Sequence, residues 1–124
     1  MANVTIAYED GTVFCTPDKG NVRVPSAARI VWRARQKDNI VFRLVFHREP
    51  FQGTARPKDD WPFSQSEPPR PGAPPSTSWT AIFDGQVLAG TLGVYEYLVE
   101  VKPMGAPDAE PPLAVLDPMI IIGS

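Results

Sequence analysis

Hydrophobic and polar residues alternate with a period of two along most of this chain. In NVTIAY, residues 3–8, Val4, Ile6 and Tyr8 share one face while Asn3, Thr5 and Ala7 share the other, the pattern of a half-buried strand. The EDG at 9–11 is a turn signal and TVFCT resumes the extended pattern, which predicts a hairpin. Pro17 and DKG at 18–20 break the chain before NVRV, which ends at Pro25. In ARIVWRAR, residues 28–35, Ile30, Trp32 and Ala34 point inward and Arg29, Val31, Arg33 and Arg35 oppose them. After QKDN turns the chain, IVFRLVFH at 40–47 places Ile40, Phe42, Leu44 and Phe46 on one face and Val41, Arg43, Val45 and His47 on the other. These two strands are expected to be neighbours, with their Arg-bearing faces side by side on the outside of one sheet. Later strands are TSWTAIF at 77–83, GVYEYLVEVK at 93–102 and LAVLDPMIIIG at 113–123.

No stretch carries a sustained helical period with a cap at its start. Roughly seven or eight strands separated by turn signals predict an all-β fold, an antiparallel Greek-key sandwich. The chain's 124 residues make one domain.

One segment departs from this rhythm. Residues 48–76 hold eight of the fifteen prolines, and no strand of useful length. A connection this long inside a compact domain is functional or disordered, and Phe51, Trp61 and Phe63 within it are residues that pure linkers seldom contain. PPRPGAPP at 68–75 favours polyproline II, whose repeat brings side chains back to one face for docking in aromatic grooves, with Arg70 available for an ion pair. DDWPF at 59–63 offers aromatic anchors flanked by charge. The binding candidates are therefore Trp61, Phe63, Phe51 and Arg70. The competing use of Trp61 and Phe63 is to fold back and close one end or edge of the sandwich.

Charge narrows the partner classes. Twelve basic residues against fourteen acidic ones, net -2, with no basic block, argue against nucleic acid. The apolar runs are far shorter than the ~20 residues that span a bilayer. No secretory leader is read at the start, so a cytoplasmic location is the expectation. The single cysteine, Cys15, leaves no internal disulfide and no multi-cysteine metal site, and reads as a small buried hydrophobe. His47 with Cys15, or carboxylates Glu49, Asp59 and Asp60, would be the raw material of catalysis. Each has a simpler use: His47 on the outer, Arg-bearing face of its strand, the carboxylates in water. No catalytic residue, metal ligand or cofactor is assigned, and the chain is read as a non-enzyme.

The Gly93, Tyr95, Tyr97 pattern and the ARIVW at 28–32 resemble strands of cupredoxin-like sandwiches. That resemblance implies a copper cysteine two residues after Tyr97, where this chain has Val99, and a first copper histidine soon after Trp32, where residues 33–39 supply none. A blue-copper site needs two His and a Cys, so the resemblance implies the fold without the metal. An immunoglobulin-like sandwich fits equally, with Tyr95 in the tyrosine-corner role. Fold alone assigns no function.

Met119 to Ile122 is apolar on both faces, which points to burial against the core on one side and against another surface, in a homo-oligomer, on the other. Pro118 cannot donate to a ladder and marks an edge or an interruption. The function expected is a non-enzymatic protein-binding or assembly module that uses the aromatic insertion to contact a protein partner or a second subunit. The alternative is a carbohydrate- or small-ligand-binding module with Trp61, Trp79 and Tyr97 as stacking platforms.

Overall fold

The computed structural model describes residues 2–48, 61–65, 76–107, 109 and 111–123, with the backbone alone at 47 and 48. The strands are β1 (Ala2–Glu9), β2 (Thr12–Thr16), β3 (Val22–Pro25), β4 (Arg29–Ala34), β5 (Ile40–Arg48), β6 (Ile82–Gln86), β7 (Gly93–Pro103), β8 (Ala114–Leu116) and β9 (Met119–Gly123). One sheet runs β2-β1-β4-β6 and the other β3-β9-β7-β5, with β8 pairing to β7 beyond β9.

The all-β sandwich is the expected one, with nine strands described where seven or eight were expected. The strand expected at 77–83 is displaced to Ile82–Gln86, residues 76–80 making only isolated bridges, and two further differences concern the sheets. First, both sheets are mixed, because β1 runs parallel to β4 and β3 parallel to β9. A parallel pair needs a crossover between its strands; here the chain leaves the first sheet after β2, joins the second as β3, and returns as β4 beside β1. Second, β4 and β5 belong to different sheets, so Arg33 and Arg43 lie on opposite outer surfaces rather than side by side. The cause is the connection: a 3-10 turn at Gln36–Asp38 ends on Asn39 in the left-handed region (φ 50, ψ 49), a conformation Asn tolerates. This carries the chain across the core instead of folding it into a hairpin. Arg35 fastens that turn by pairing with Asp38 and Glu9, each at 2.9 Å.

Elsewhere the local signals act as read. Asp10 and Gly11 both take positive φ (53 and 79) between β1 and β2, as in type I′ hairpin turns. Pro118 divides the C-terminal run into β8 and β9; lacking an N–H, it contributes only its carbonyl, which accepts from Tyr97 N at 3.0 Å.

The alternating inward residues make one core: Val4, Ile6, Val13 and Cys15 from the first hairpin, Ile30 and Trp32, Phe42, Leu44 and Phe46, Tyr95 to Val101 on alternate positions, and Ile120 and Ile122. Each fully buried large side chain contributes roughly 1.5–3 kcal/mol of transfer free energy.

The gap between the sheets is closed differently on its two sides. On one, the β2–β3 connection passes from sheet to sheet through a 3-10 turn at Asp18–Gly20. On the other, segments of the β5–β6 connection lie along both outer strands. Residues 76–80 run beside β5, where Phe42 and Thr80 exchange backbone bonds of 2.8 and 2.9 Å and Thr77 N donates to Leu44 O at 2.9 Å. Residues 61–65 run beside β6, where Ser64 N donates to Gln86 O and Leu88 N to Pro62 O, each at 2.8 Å. Outer strands that would template foreign pairing are thereby capped.

Candidate functional site

Phe63 is drawn into the core, 3% exposed. Its ring packs edge-on against Trp32 (5.8 Å), Phe46 (5.1 Å) and Phe83 (5.3 Å), geometry that the ring quadrupoles favour. The space it fills is made by Gly85, whose absent Cβ would fall 2.5 Å from the Phe63 ring. Trp61 is half-buried over the same cluster, 5.2 Å from Phe63 and 5.5 Å from Phe46, with its indole N–H donating to Gln65 O at 2.6 Å. Gln65 in turn holds β6: its amide N donates to Asp84 O and its amide O accepts from Gln86 N. The structure thus brings Trp61 and Phe63 together inside, at the edge they close. The other two binding candidates, Phe51 and Arg70, lie outside the described residues, as do Glu49, Asp59 and Asp60.

The reactive groups are also held inside. Cys15 is buried between the sheets, and burial pushes its thiol up to about 12 from an ordinary 9.0, so the thiolate nucleophile is suppressed near neutral pH. The Tyr97 hydroxyl, raised from 10.0 chiefly by burial, donates to the backbone oxygen of Gly20 and accepts from Trp32 Nε1 at 3.2 Å. Tyr97 thus makes a hydroxyl-to-backbone bond of the kind the tyrosine-corner role describes. Val99, at the position where the resemblance puts a copper cysteine, is wholly buried in the core. Among the described residues no group of three or more His, Cys, Asp or Glu gathers to hold a metal ion.

Of the rings considered as stacking platforms, Tyr97 is buried and Trp61 packs on Phe46. Trp79 is half-buried on the outer side of the β5 sheet, its ring facing Arg43 at 4.6 Å and Lys102 at 4.7 Å. Arg43 is held there by Glu100 at 2.6 Å, and Lys102, itself buried, donates to Ala106 O at 2.8 Å. Two cations on one indole, with a carboxylate behind one of them, make a fixed slot. Sequence reasoning named Trp79 but missed Lys102, since the outer face of a strand gives no hint that its lysine will be covered.

The same outer side carries apolar residues on β8 and β9. Val115 is paired with Glu100, Met119 with Glu96 and Ile121 with Val94, so these side chains share the face with Leu98. Leu113, Val115 and Met119 are 45, 50 and 39% exposed.

No protein-family model matches the chain, and no curated protein matches it. Solved structures similar to it include a cysteine protease inhibitor from Entamoeba histolytica, 16% identical with a TM-score of 0.40, covering 99% of this chain and 97% of that one. Auracyanin B is 12% identical with a TM-score of 0.44, covering 99% of this chain and 89% of that one. Auracyanin A, a blue copper protein from the green thermophilic photosynthetic bacterium Chloroflexus aurantiacus, is 12% identical with a TM-score of 0.41, covering 98% of each chain.

Proposed function

We propose that this protein is a non-enzymatic binding and assembly module that associates with another protein chain, a second copy of itself in the first instance, through the outer face of β8 and β9 in the five-stranded sheet. The observation that supports this reading is the alternation in β9. Ile120 and Ile122 enter the core while Met119 and Ile121 face outward, beside exposed Val115 on β8. Apolar residues on the outer face of a strand whose inner face is already buried mark a contact surface. Residues 76–80 cover the β5 edge of the same sheet, which leaves the outer face of β8 and β9 as the surface offered to a partner.

The test is sedimentation velocity across a wide concentration range for the parent chain and for Val115→Lys/Met119→Lys. Association of the parent that the double variant loses, with its cooperative melting kept, supports the reading. A parent mass independent of concentration overturns self-association through this face.

A further inference from the structure

Residues 76–80 cover β5 without forming a regular strand on it. The pairing consists of two isolated bridges, Val45 with Ser76 and Phe42 with Thr80. Between them the Leu44 N–H is satisfied by a side chain, Thr77 Oγ1 at 3.0 Å, where a regular strand would offer a backbone carbonyl. Two further donors in the same segment, the Ser76 hydroxyl and the Trp79 indole N–H, are buried without an acceptor among the described residues. Buried polar groups left unpaired are costly. The cations that face the Trp79 ring are themselves paired: Arg43 of β5 with Glu100, and Lys102 of β7 with Ala106 O.

We infer that residues 76–80 are an internal occupant of a peptide-binding edge: β5 from Phe42 to Val45, with the Arg43–Lys102 slot, accepts an extended segment of a partner protein carrying an aromatic side chain in the place of Trp79. This rests on the protein-binding reading above. The recognition chemistry is strand addition, in which main-chain bonds supply affinity and a side-chain slot supplies selectivity. The resident segment shows what the slot takes, an indole between two cations, and its unpaired donors are a cost of its own seat that a ligand with those groups paired or absent does not carry. Release of the resident segment is then the event that opens the edge.

The test uses the full chain and a labelled peptide of residues 76–82, STSWTAI. In Trp79→Ala the Phe42 and Leu44 amides should exchange about five- to tenfold faster, as expected when roughly one bond's worth of protection is lost. The peptide should then bind this variant more tightly than the parent by fluorescence anisotropy. A peptide with Ala in place of its Trp should fail to bind, as should the intact peptide on Trp79→Ala/Lys102→Ala. If Trp79→Ala loses its cooperative melting, Thr77→Val, which removes only the acceptor for Leu44 N–H, replaces it. Unchanged protection of both amides overturns the inference, because the segment is then a permanent part of the sheet. Faster exchange with no peptide binding overturns it as well. Self-association is read on β8–β9 by the Val115 and Met119 variant, so either reading can fail while the other stands.

Discussion

The two sides of this sandwich do the same task with different materials. The β2–β3 side is closed by a short covalent crossing and a polar lock, in which the Tyr97 hydroxyl bridges the Gly20 carbonyl and the Trp32 indole, beside the buried Cys15 thiol. The β5–β6 side is closed by parts of a long insertion that hold on through rings, with Phe63 seated in the space above Gly85 and Trp61 over Phe46. A five-residue crossing has little entropy left to lose and can rely on a few directional bonds. A long insertion must be held by enough buried apolar area to offset the ordering of its chain. The sides communicate through Trp32, which touches Phe63 at 5.8 Å and Tyr97 at 5.7 Å.

The contrast can be broken most strongly on the ring side. Phe63→Ala removes the plug and should cost about 3–5 kcal/mol, read as a drop in the urea midpoint with the transition still cooperative.

Alkaline pH attacks the other side, because rings of Phe and Trp do not titrate. Cys15 has its pKa raised from 9.0 to about 12 in the folded state, so its contribution is fully present below pH 9.0 and is lost as pH rises towards 12. Over that window unfolding should become easier by about 1.4 kcal/mol per pH unit. Cys15→Val should flatten the limb that begins near pH 9.0 and leave the Tyr97 limb, which begins near 10.0. An unchanged alkaline titration of stability in that variant would place the sensitivity elsewhere.

Gly85→Ala tests the fit of the plug. A Cβ 2.5 Å from the ring of Phe63 cannot be accommodated without displacement, and the expected loss is about 1–3 kcal/mol. Combining it with Phe63→Leu should recover part of that loss, which a simple helix- or strand-propensity effect of Ala would not allow.

Tyr97→Phe sharpens the polar side with the smallest structural change. The indole N–H of Trp32 and the carbonyl of Gly20 both lose their partner, for an expected cost of about 1–2 kcal/mol. Since the aromatic contacts remain, the melting transition should shift without broadening.

Much of the fold was legible because strands of a two-layer protein advertise one buried face. Val4, Ile6, Ile30, Trp32, Phe42, Leu44 and Phe46 were placed inward by alternation, and all are buried. Turn chemistry was equally direct at Asp10 and Gly11 and at Pro118. What alternation could not show is which strand lies beside which. It set Arg33 and Arg43 on one surface, but Asn39 sends β5 into the other sheet. Trp61 and Phe63 were ambiguous for a related reason, since an aromatic residue in an irregular segment has no period to tell inside from outside. Gly85 and Lys102 carried no signal at all; one matters for the ring that fills its absent side chain, the other for the indole laid over it.

The all-β class, the inward face of nearly every strand, the positions of the tight turns and the place of the exceptional segment were legible in the chain, because each is fixed by interactions between residues close in sequence. Tertiary structure alone decided the sheet order, the parallel pairs, the lock of Tyr97 on Gly20, the burial of Phe63 over Gly85 and the cationic slot around Trp79. Each of these joins residues distant in sequence, and a contact of that kind is settled by the shape left for it when the two sheets meet, not by the pattern of either partner's own strand.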